Sequence, residues 1–435
     1  MQFFSTNRNS PLVDFKDATI NGQAPDKGLY FPVQIQQAPP DLIKNISLYS
    51  NEAIGYEIIK PYIGESIPHE RLQSIVEETL NFPIPLVGIT DNIYSLELFH
   101  GPTLAFKDVG ARFMSRCLSY FVTKRKEKII VLVATSGDTG GAVANGFYEV
   151  EGVEVVILFP SGKVSKVQEK QLTTLGKNIH AIEVKGTFDD CQQMVKDVFS
   201  IKHIYKNILL TSANSINVSR WLPQQFYYFF AYKQWKFKDQ LPVISVPSGN
   251  FGNICAGLLA MKSGLPVEHF IAACNSNDMV PQFLETYKYE PKPAIATISN
   301  AMDVGDPSNF IRILELFKGD IKALKGVVTA YSIKDDETRN TIKAVYRESK
   351  YLLDPHGAVG YRALERYLDQ FPFQKGIFIE TAHPVKFFDV VEPIIGNSID
   401  IPGQVSRQMG QESQSEMMAN NTDALKEYLM KLNNE

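Results

Sequence analysis

The sequence predicts an α/β fold built on parallel β-sheets. Continuous apolar, β-branched runs that suit buried strands cover residues 128–135, 153–160 and 269–275, and stretches with helical periodicity separate them. Strands that alternate with helices in this way are typical of parallel sheets covered on both faces. At 435 residues the chain exceeds one ordinary core, and a prior of about 150 residues per domain predicts two or three units.

The predicted elements follow one another along the chain. Helical periodicity covers residues 51–63 and 66–80, and a strand at 94–99 leads through a turn at Gly101 and Pro102 to a helix near Lys107. Later strands are expected at 128–135, 153–160, 180–186, 269–275, 327–332 and 376–384, with a strand and turn at 209–215 and a strand, glycine turn and helix at 241–264. Helices are expected at 164–175, 189–199, 217–235, 337–349 and 358–369. The tail from about residue 404 is expected to be a loosely ordered connector before a short terminal helix.

Composition excludes several classes of function. The formal net charge of −4 provides no basic field for nucleic acid or an anionic membrane, so any bound phosphate must be held by a few local donors. The uncharged stretch 240–261 is broken by prolines and glycines and is not expected to span a bilayer. The four cysteines lack metal-binding spacing and the amino terminus lacks a signal-peptide pattern, so we expect reduced thiols and a cytoplasmic protein.

One lysine is a candidate for covalent chemistry. Lys107 lies in the stretch HGPTLAFKDVGARF at 100–113, directly after the apolar residues Leu104, Ala105 and Phe106. An apolar wall disfavours the ammonium form and lowers the pKa of a lysine, as an amine requires before it attacks a carbonyl carbon. Because most lysines are solvated, the stretch alone leaves an ordinary helix lysine open as an alternative.

Two glycine-rich turns predict anion sites. VPSGNFGN at 246–253 and TSGDTGGA at 135–142 each join an apolar strand to the start of a helix. Glycine allows the backbone to approach an oxyanion, and the free amides of the helix start point toward it. Neither turn is a P-loop or a GxGxxG fingerprint, and a tight strand-to-helix turn uses similar residues without binding an anion. Two such sites beside a reactive lysine suit a ligand with a phosphate at one end and a carboxylate at the other.

A third motif, ETAHPVKF at 380–387, ends a predicted strand in a hydroxyl. Thr381 presents a neutral hydroxyl, which does not enforce the protonation of a group bonded to it, whereas a carboxylate would. A hydroxyl that only satisfies the end of the strand is the alternative interpretation.

Together, HGPTLAFKD, PSGNFG, NSIN at 214–217 and NAMD at 300–303 resemble the threonine synthase family of pyridoxal-phosphate enzymes. The match around Lys107 is residue for residue, and the weaker elements STNR and GLYFP extend it toward the amino terminus. The resemblance implies a tryptophan-synthase-β-like fold (fold type II), with two α/β lobes of parallel-rich sheets and an amino-terminal threonine-synthase-type domain. We expect this domain at 1–90, the catalytic region at 91–435, and a smaller lobe at roughly 110–225.

The resemblance also implies roles for individual residues. Lys107 carries pyridoxal 5'-phosphate as a Schiff base, Thr381 faces the pyridine nitrogen, and Ser136 and Thr139 bind the α-carboxylate of the substrate. The loop that holds the cofactor phosphate consists of Gly249, Asn250, Phe251, Gly252 and Asn253. Asp138 lies near the cofactor, where many relatives carry Asn and the branch with HGPTxAFKD carries Asp, and its hydrogen-bonding role stays open.

The phosphate of the substrate has the least specific candidates. They fall at the NSIN and NAMD elements and are Asn217, Arg220, Ser308 and Asn309. Arginine matches phosphate with a fork of donors, although surface arginines are far commoner than phosphate clamps. His356 and His383 are expected to support the site, and no metal site is expected from their spacing.

The activity implied by the resemblance converts O-phospho-L-homoserine and water into L-threonine and phosphate by β,γ-elimination and replacement. Lys107 would hold the cofactor, be displaced by the substrate amine, and act as general base at Cα and Cβ. A serine or threonine dehydratase, or a cysteine-synthase-like β-replacement enzyme, shares the lysine and the glycine loop but lacks the HGPTLAFKD context and the NAMD element. A catalytically silent cofactor-binding homologue is a further alternative. The sequence does not decide between a monomer and a homodimer.

Overall fold

The amino-terminal part of the chain is mainly helical. The structure, a computed structural model, describes residues 1–122, 128–200, 208–237 and 239–434. The first elements are β1 (Phe3–Ser5), α1 (Phe15–Asn21), β2 (Tyr30–Pro32), α2 (Pro40–Lys44), α3 (Asn51–Ile63) and α4 (His69–Thr79), and β1 pairs with β2 in antiparallel fashion. The helix predicted at 51–63 is confirmed, and the Ser50 side chain caps it by accepting from the Ala53 N–H. α4 begins later than predicted because a 3-10 turn and Pro68 precede it.

The rest of the chain alternates strands and helices, as predicted. The strands are β3 (Leu86–Gly88), β4 (Ile93–Glu97), β5 (Lys128–Ala134), β6 (Val153–Pro160), β7 (Ile179–Lys185), β8 (Ile208–Ser212), β9 (Val243–Pro247), β10 (His269–Cys274), β11 (Val328–Ser332), β12 (Gly376–Glu380) and β13 (Ser415–Ala419). The helices are α5 (Lys107–Val122), α6 (Asp138–Phe147), α7 (Lys166–Thr173), α8 (Phe188–Ser200), α9 (Val218–Trp221), α10 (Phe226–Gln234), α11 (Gly252–Lys262), α12 (Met279–Thr286), α13 (Phe310–Leu316), α14 (Ile321–Lys325), α15 (Asp335–Ser349), α16 (Pro355–Gln370), α17 (Phe388–Ile395), α18 (Gly403–Met409) and α19 (Thr422–Asn434).

A six-stranded sheet has the order β11-β10-β9-β12-β4-β3, and every neighbouring pair is parallel except β3 and β4. All residues of β9 and β12 are buried, as expected for a parallel sheet covered on both faces. Because β4, β9 and β12 run in the same direction, the segments that follow them meet at one edge of the sheet. These segments are the loop before Lys107, the PSGNFG turn and the TAHPVKF segment.

A five-stranded parallel sheet has the order β13-β7-β6-β5-β8, and the TSGDTGGA turn joins β5 to α6. The prediction of a loosely ordered connector after residue 404 is wrong, because α18 forms there and β13 pairs along β7. β13 is an edge strand with the sequence SEMMA, and half-exposed or exposed residues fill it. Its sequence therefore lacks the apolar run by which buried strands are recognised.

The aromatic stretch predicted as one helix at 217–235 is helical but interrupted. A 3-10 turn at Leu222–Gln225 contains Pro223 and separates α9 from α10. Proline has no N–H to donate, so the α-helical hydrogen-bond ladder changes at this point. α10 is apolar on nearly all sides because it is buried in the core, and none of the helices that the structure describes has both the length and the apolar content needed to cross a membrane.

Candidate active site

Lys107 is the first residue of α5, and the loop before it is fastened to the segment after β12. The Phe106 N–H donates to the Thr381 carbonyl at 2.8 Å, and the His383 N–H donates to the Leu104 carbonyl at 3.0 Å. Leu104 has a left-handed φ of 58°, so the chain turns sharply just before the helix. The structure therefore brings the lysine predicted to be reactive beside the residue predicted to meet the ring nitrogen.

The environment of Lys107 makes its amine easier to deprotonate. Lys107 is half-buried, and protein surrounds its side chain. The loss of hydration lowers the pKa of Lys107 from 10.5 to about 8. The carboxylate of Asp138 opposes the shift, whereas the charges of Lys386 and Arg220 add to it. The predicted lowering of the pKa is confirmed. An amine with such a pKa is available as a nucleophile and as a base.

The PSGNFG turn leaves β9 and opens α11. Phe251 precedes the helix with a left-handed φ of 59°, and the first N–H groups of α11 have no acceptor within the helix. Gly249 packs on the 3-10 turn at Asn300–Met302, where a Cβ would lie 2.6 Å from the Met302 Cα. Only glycine fits this contact, so the predicted anion-binding turn and the NAMD element lie directly against each other.

The two asparagines of this turn have different surroundings. Asn250 is bound within the protein, because its Nδ2 donates to Ser215 Oγ at 2.9 Å and its Oδ1 accepts from the Ser308 N–H at 2.6 Å. Asn253 Oδ1 accepts from the Tyr228 hydroxyl at 2.8 Å, and its buried Nδ2 has no partner in the described part of the chain. A buried donor without a partner at a helix start is a group that an anionic ligand would satisfy.

The TSGDTGGA turn forms the second predicted anion site. Thr135 Oγ1 accepts from the N–H groups of Gly137 and Gly140, both at 2.9 Å, and Gly137 has a φ of 139°. Ser136 and Thr139 are half-buried, and within the described residues their hydroxyls make no hydrogen bond. Both predicted carboxylate donors are therefore uncommitted at the start of α6.

Asp138 is paired with a buried lysine that the sequence analysis did not single out. Lys386 Nζ lies 2.8 Å from Asp138 Oδ1, and 0% and 4% of these two side chains are exposed. The same Nζ donates to the Thr103 carbonyl at 2.7 Å, and Gln168 Nε2 donates to Asp138 at 2.8 Å. Burial alone would raise the pKa of Asp138, but the charges of Lys386 and Lys107 hold it far below its usual range. The sequence feature that could have indicated Lys386 is its position among apolar residues in ETAHPVKF.

Two of the candidates for the substrate phosphate are committed to the protein itself. Asn217 caps α9, and its Nδ2 donates to the Ser212 carbonyl at 3.0 Å. Asn309 Nδ2 donates to Ser215 Oγ at 3.0 Å, and its Oδ1 accepts from Arg312 at 2.7 Å. The structure therefore uses both amides to hold neighbouring segments in place.

The other two candidates keep donors that the protein does not use. Arg220 is buried, its Nη1 donates to the Ala213 carbonyl, and its Nε has no partner in the part of the chain that the structure describes. Its charge lowers the pKa of Lys107, so the guanidinium lies near the reactive amine. Ser308 is exposed beside the PSGNFG turn, to which its N–H is bonded.

A chain of buried titratable side chains links the end of β12 to the NAMD element. Glu380 accepts from the Asp354 N–H at 2.7 Å, and burial together with the charge of Asp354 raises the pKa of Glu380 well above its usual range. His356 Nδ1 lies 2.6 Å from Asp354 Oδ1, and His356 Nε2 accepts from the Ala301 N–H at 3.2 Å. Because Nε2 faces the Ala301 N–H, we assign it as the acceptor and Nδ1 as the donor to Asp354. His356 thereby supports the turn that packs on Gly249.

The fold and the site together fit an enzyme that uses pyridoxal phosphate. An amine of lowered pKa lies near one glycine turn at a helix start, and a second such turn carries an unpartnered buried donor. These groups suit a ligand that bears both an aldehyde and a phosphate. The family model for pyridoxal-phosphate dependent enzymes matches residues 83–379. The chain is a member of this class of enzyme, and pyridoxal phosphate is its cofactor.

Further comparisons narrow the class to one family. The models for the threonine synthase N terminus and the threonine synthase C-terminal region match residues 2–80 and 357–429. Threonine synthase of Buchnera aphidicola is 42% identical over 414 residues, which cover 94% of this chain and 95% of that protein. The crystal structure of Escherichia coli threonine synthase is 39% identical with a TM-score of 0.92, covering 99% of this chain and 100% of that one. Pyridoxal-phosphate-bound threonine synthase from Brucella melitensis is 34% identical with a TM-score of 0.93, covering 99% of each chain. The chain belongs to the threonine synthase family, and the fold type implied by the resemblance is confirmed.

Proposed function

We propose that this enzyme converts O-phospho-L-homoserine and water into L-threonine and phosphate. The observation that carries the proposal is the position of Lys107, an amine with a pKa of about 8 beside Thr381 and near the start of α6. Membership of the threonine synthase family supports this reaction over dehydration or β-replacement, since relatives of that name match nearly the whole chain.

Lys107 would hold the cofactor covalently through its amine and, when this amine is free, would move protons at Cα and Cβ of the substrate. A pKa of about 8 leaves part of the amine neutral at neutral pH, so the same group can take a proton and return it. When bound, pyridoxal phosphate withdraws electrons from the substrate carbons and makes these protons removable. The partial solvent access of Lys107 gives a small substrate a route to it.

The start of α11 is proposed to hold the cofactor phosphate. The proposed residues are Gly249, Asn250, Phe251, Gly252 and Asn253. The unpartnered Asn253 Nδ2 and the free N–H groups of the helix end support this role, whereas the Asn250 side chain ties the turn to its neighbours. Thr381 is proposed to meet the ring nitrogen with a hydroxyl, which does not enforce its protonation.

The start of α6 is proposed to bind the substrate carboxylate through Ser136 and Thr139. Their uncommitted hydroxyls and the free amides of the helix start support this role. The substrate phosphate is proposed to meet Arg220 and Ser308, with Asn217 and Asn309 shaping the segments around it. The unpartnered Nε of Arg220 supports this role.

We propose residues 1–90 as an amino-terminal domain and 91–435 as the catalytic region, with a smaller lobe at roughly 110–225. The match to the threonine synthase N terminus ends at residue 80, and the match to pyridoxal-phosphate dependent enzymes begins at residue 83, which supports a boundary in this part of the chain. The pairing of β13 with β7 adds a carboxyl-terminal strand to the sheet of the smaller lobe. A cytoplasmic location is proposed because all four cysteines are free and buried.

Purified protein loaded with pyridoxal phosphate and mixed with O-phospho-L-homoserine tests the reaction. We expect inorganic phosphate and L-threonine to appear in equal amounts, and Lys107→Ala to lower both rates by at least ~10³-fold because the reacting amine is gone. Lys375→Ala is the control, since Lys375 donates to the Asp91 carbonyl at the opposite end of β12 and leaves the site intact.

The same assay separates the alternatives. Full threonine formation by Lys107→Ala would contradict the role of this lysine. Release of ammonia from L-threonine, without formation of L-threonine from O-phospho-L-homoserine, would favour a dehydratase. Cofactor absorbance without any product would favour a silent homologue.

A further inference from the structure

The ion pair of Lys386 and Asp138 calls for a functional explanation. Both side chains are almost completely buried, and their charged atoms are 2.8 Å apart. Buried ion pairs contribute little net stability, because each charge loses its hydration when the protein folds. The pair is thus better explained by a task at this place than by a contribution to folding.

The pair lies where elements of both sheets meet. Lys386 is in the 3-10 turn Pro384–Phe387 that follows β12, and Asp138 opens α6 after β5. The Thr103 carbonyl, in the loop before Lys107, accepts from Lys386 and also from Gln171 of α7 at 3.1 Å. The ion pair is therefore held between the 3-10 turn after β12, the start of α6 and the loop before Lys107.

Asp138 creates an electrostatic problem at this position. It stands between Ser136 and Thr139, at the helix start where a substrate carboxylate is proposed to bind. An unpaired carboxylate there would repel a second one and would offset the attraction of the helix dipole. A buried cation in contact with Asp138 removes that repulsion.

We propose that Lys386 is a positioning residue that neutralises Asp138, so that the start of α6 can bind the carboxylate of the amino-acid substrate. This inference rests on the proposed function and adds to it a charge balance at the same site. The two charges act on the pKa of Lys107 in opposite directions, so their joint removal changes that pKa less than the removal of Asp138 alone.

Four holoenzymes test the proposal: wild type, Lys386→Met, Asp138→Asn and the double variant. We measure binding of L-threonine by calorimetry and the KM and kcat for O-phospho-L-homoserine. Lys386→Met is expected to weaken L-threonine binding and raise KM by ~10- to 100-fold, with a smaller change in kcat, because Asp138 is left unpaired. The double variant is expected to recover to within about 5-fold of wild type, because the repulsion is gone. Lys375→Met is the matched control and is expected to bind as wild type, since Lys375 donates to backbone and side-chain oxygens at the other end of β12.

A second readout is the pH titration of the visible absorbance of the holoenzymes. The midpoint of this titration is expected to lie at higher pH in Lys386→Met than in wild type. In the double variant the midpoint is expected to return toward the wild-type value. Among the residues that the structure describes, Arg220, Asp108 and His383 also interact with Lys107 or Lys386, and all three are unchanged in these variants.

Either of two results overturns the proposal: wild-type affinity in Lys386→Met, or a double variant that binds no better than Lys386→Met. If Lys386→Met does not fold, as judged by its melting curve, Asp138→Asn decides. That protein lacks the repelling charge, so weaker L-threonine binding than wild type contradicts the proposal. If the proposed function is wrong, wild type forms no threonine from O-phospho-L-homoserine. The comparison of L-threonine binding among the variants still tests whether Lys386 neutralises Asp138.

Discussion

The lowered pKa of Lys107 couples the active site to the stability of the protein. The pKa is 10.5 for an unperturbed lysine and about 8 in the folded chain, so the folded state binds this proton less tightly. Below pH 8 both states are protonated, and the folded state carries the full penalty, up to about 3 kcal/mol. As the pH rises from about 8 to 10.5 this penalty disappears, so the contribution of Lys107 makes the protein more stable with rising pH.

Lys107→Met is therefore expected to stabilise the cofactor-free protein at neutral pH. The unfolding free energy should rise by up to about 3 kcal/mol at pH 7, and the gain should vanish above about pH 10.5. Urea denaturation of both proteins between pH 7 and 11 measures the difference. Lys375→Met serves as the control for the loss of a lysine outside the site, since Lys375 donates to the Asp91 carbonyl. A pH-independent difference for Lys107→Met would show that the folded protein does not lower the pKa of this lysine.

Residue types could be read from the sequence, whereas their partners could not. Lys107, Thr381 and the PSGNFG turn were predicted from motifs whose local chemistry is visible in a few residues, and the structure brings Thr381 to Lys107. Lys386 was missed because its significance depends on Asp138, a residue distant in sequence. Asn217 was predicted as a phosphate donor for its amide, and only the fold shows that the amide caps α9.

At the scale of elements, the NAMD turn is held between α16 and the PSGNFG turn. The Ala301 N–H donates to His356, the first turn of α16 contains His356, and Met302 packs on Gly249. His356→Leu removes the acceptor for the Ala301 N–H and the ring nitrogen bonded to the buried Asp354, which keeps only its bond from the backbone N–H of residue 356. An unsatisfied buried polar group costs about 1–3 kcal/mol, so we expect a loss of that size in unfolding free energy and weaker binding of pyridoxal phosphate. Denaturation curves and cofactor titration by absorbance measure the two effects.

His356→Gln is the matched variant, because its amide oxygen can still accept a hydrogen bond from Ala301. We expect it to recover part of the cofactor affinity that His356→Leu loses. Equal losses in the two variants would mean that side-chain volume, and not the hydrogen bond, holds the turn.

The strands and helices were largely predictable, with physical reasons for the exceptions. β6 lies at the predicted residues, because an apolar run of this length between turn residues fits a buried parallel strand. Pro223 divides the predicted aromatic helix, and Pro68 delays α4. β13 was not predicted, because an edge strand pairs on one side only and does not require a fully apolar sequence.

At the scale of the whole molecule, the carboxyl terminus returns to the five-stranded sheet. After β12 in the six-stranded sheet, the chain adds β13 to the edge of β7 and then packs α19 against it. Three leucines of α19 are buried in a cluster with residues of β5, β6, β7 and α8, and they are Leu425, Leu429 and Leu432. The tail therefore completes the core of a sheet whose other strands come from residues 128–212.

This packing predicts that the tail stabilises the five-stranded sheet without taking part in the reaction. Leu429 is 0% exposed, so Leu429→Ala should lower the unfolding free energy by about 2–5 kcal/mol through lost burial and a cavity. Met430, its neighbour, is 50% exposed, and Met430→Ala should change stability by less than about 0.5 kcal/mol. Urea denaturation compares the two, and phosphate release at 25 °C should give the same kcat/KM for both folded proteins, because α19 lies away from the residues proposed for the site. An equally small effect of both substitutions would mean that the tail is as loosely ordered as its composition indicated, and that β7 forms the effective edge of the sheet.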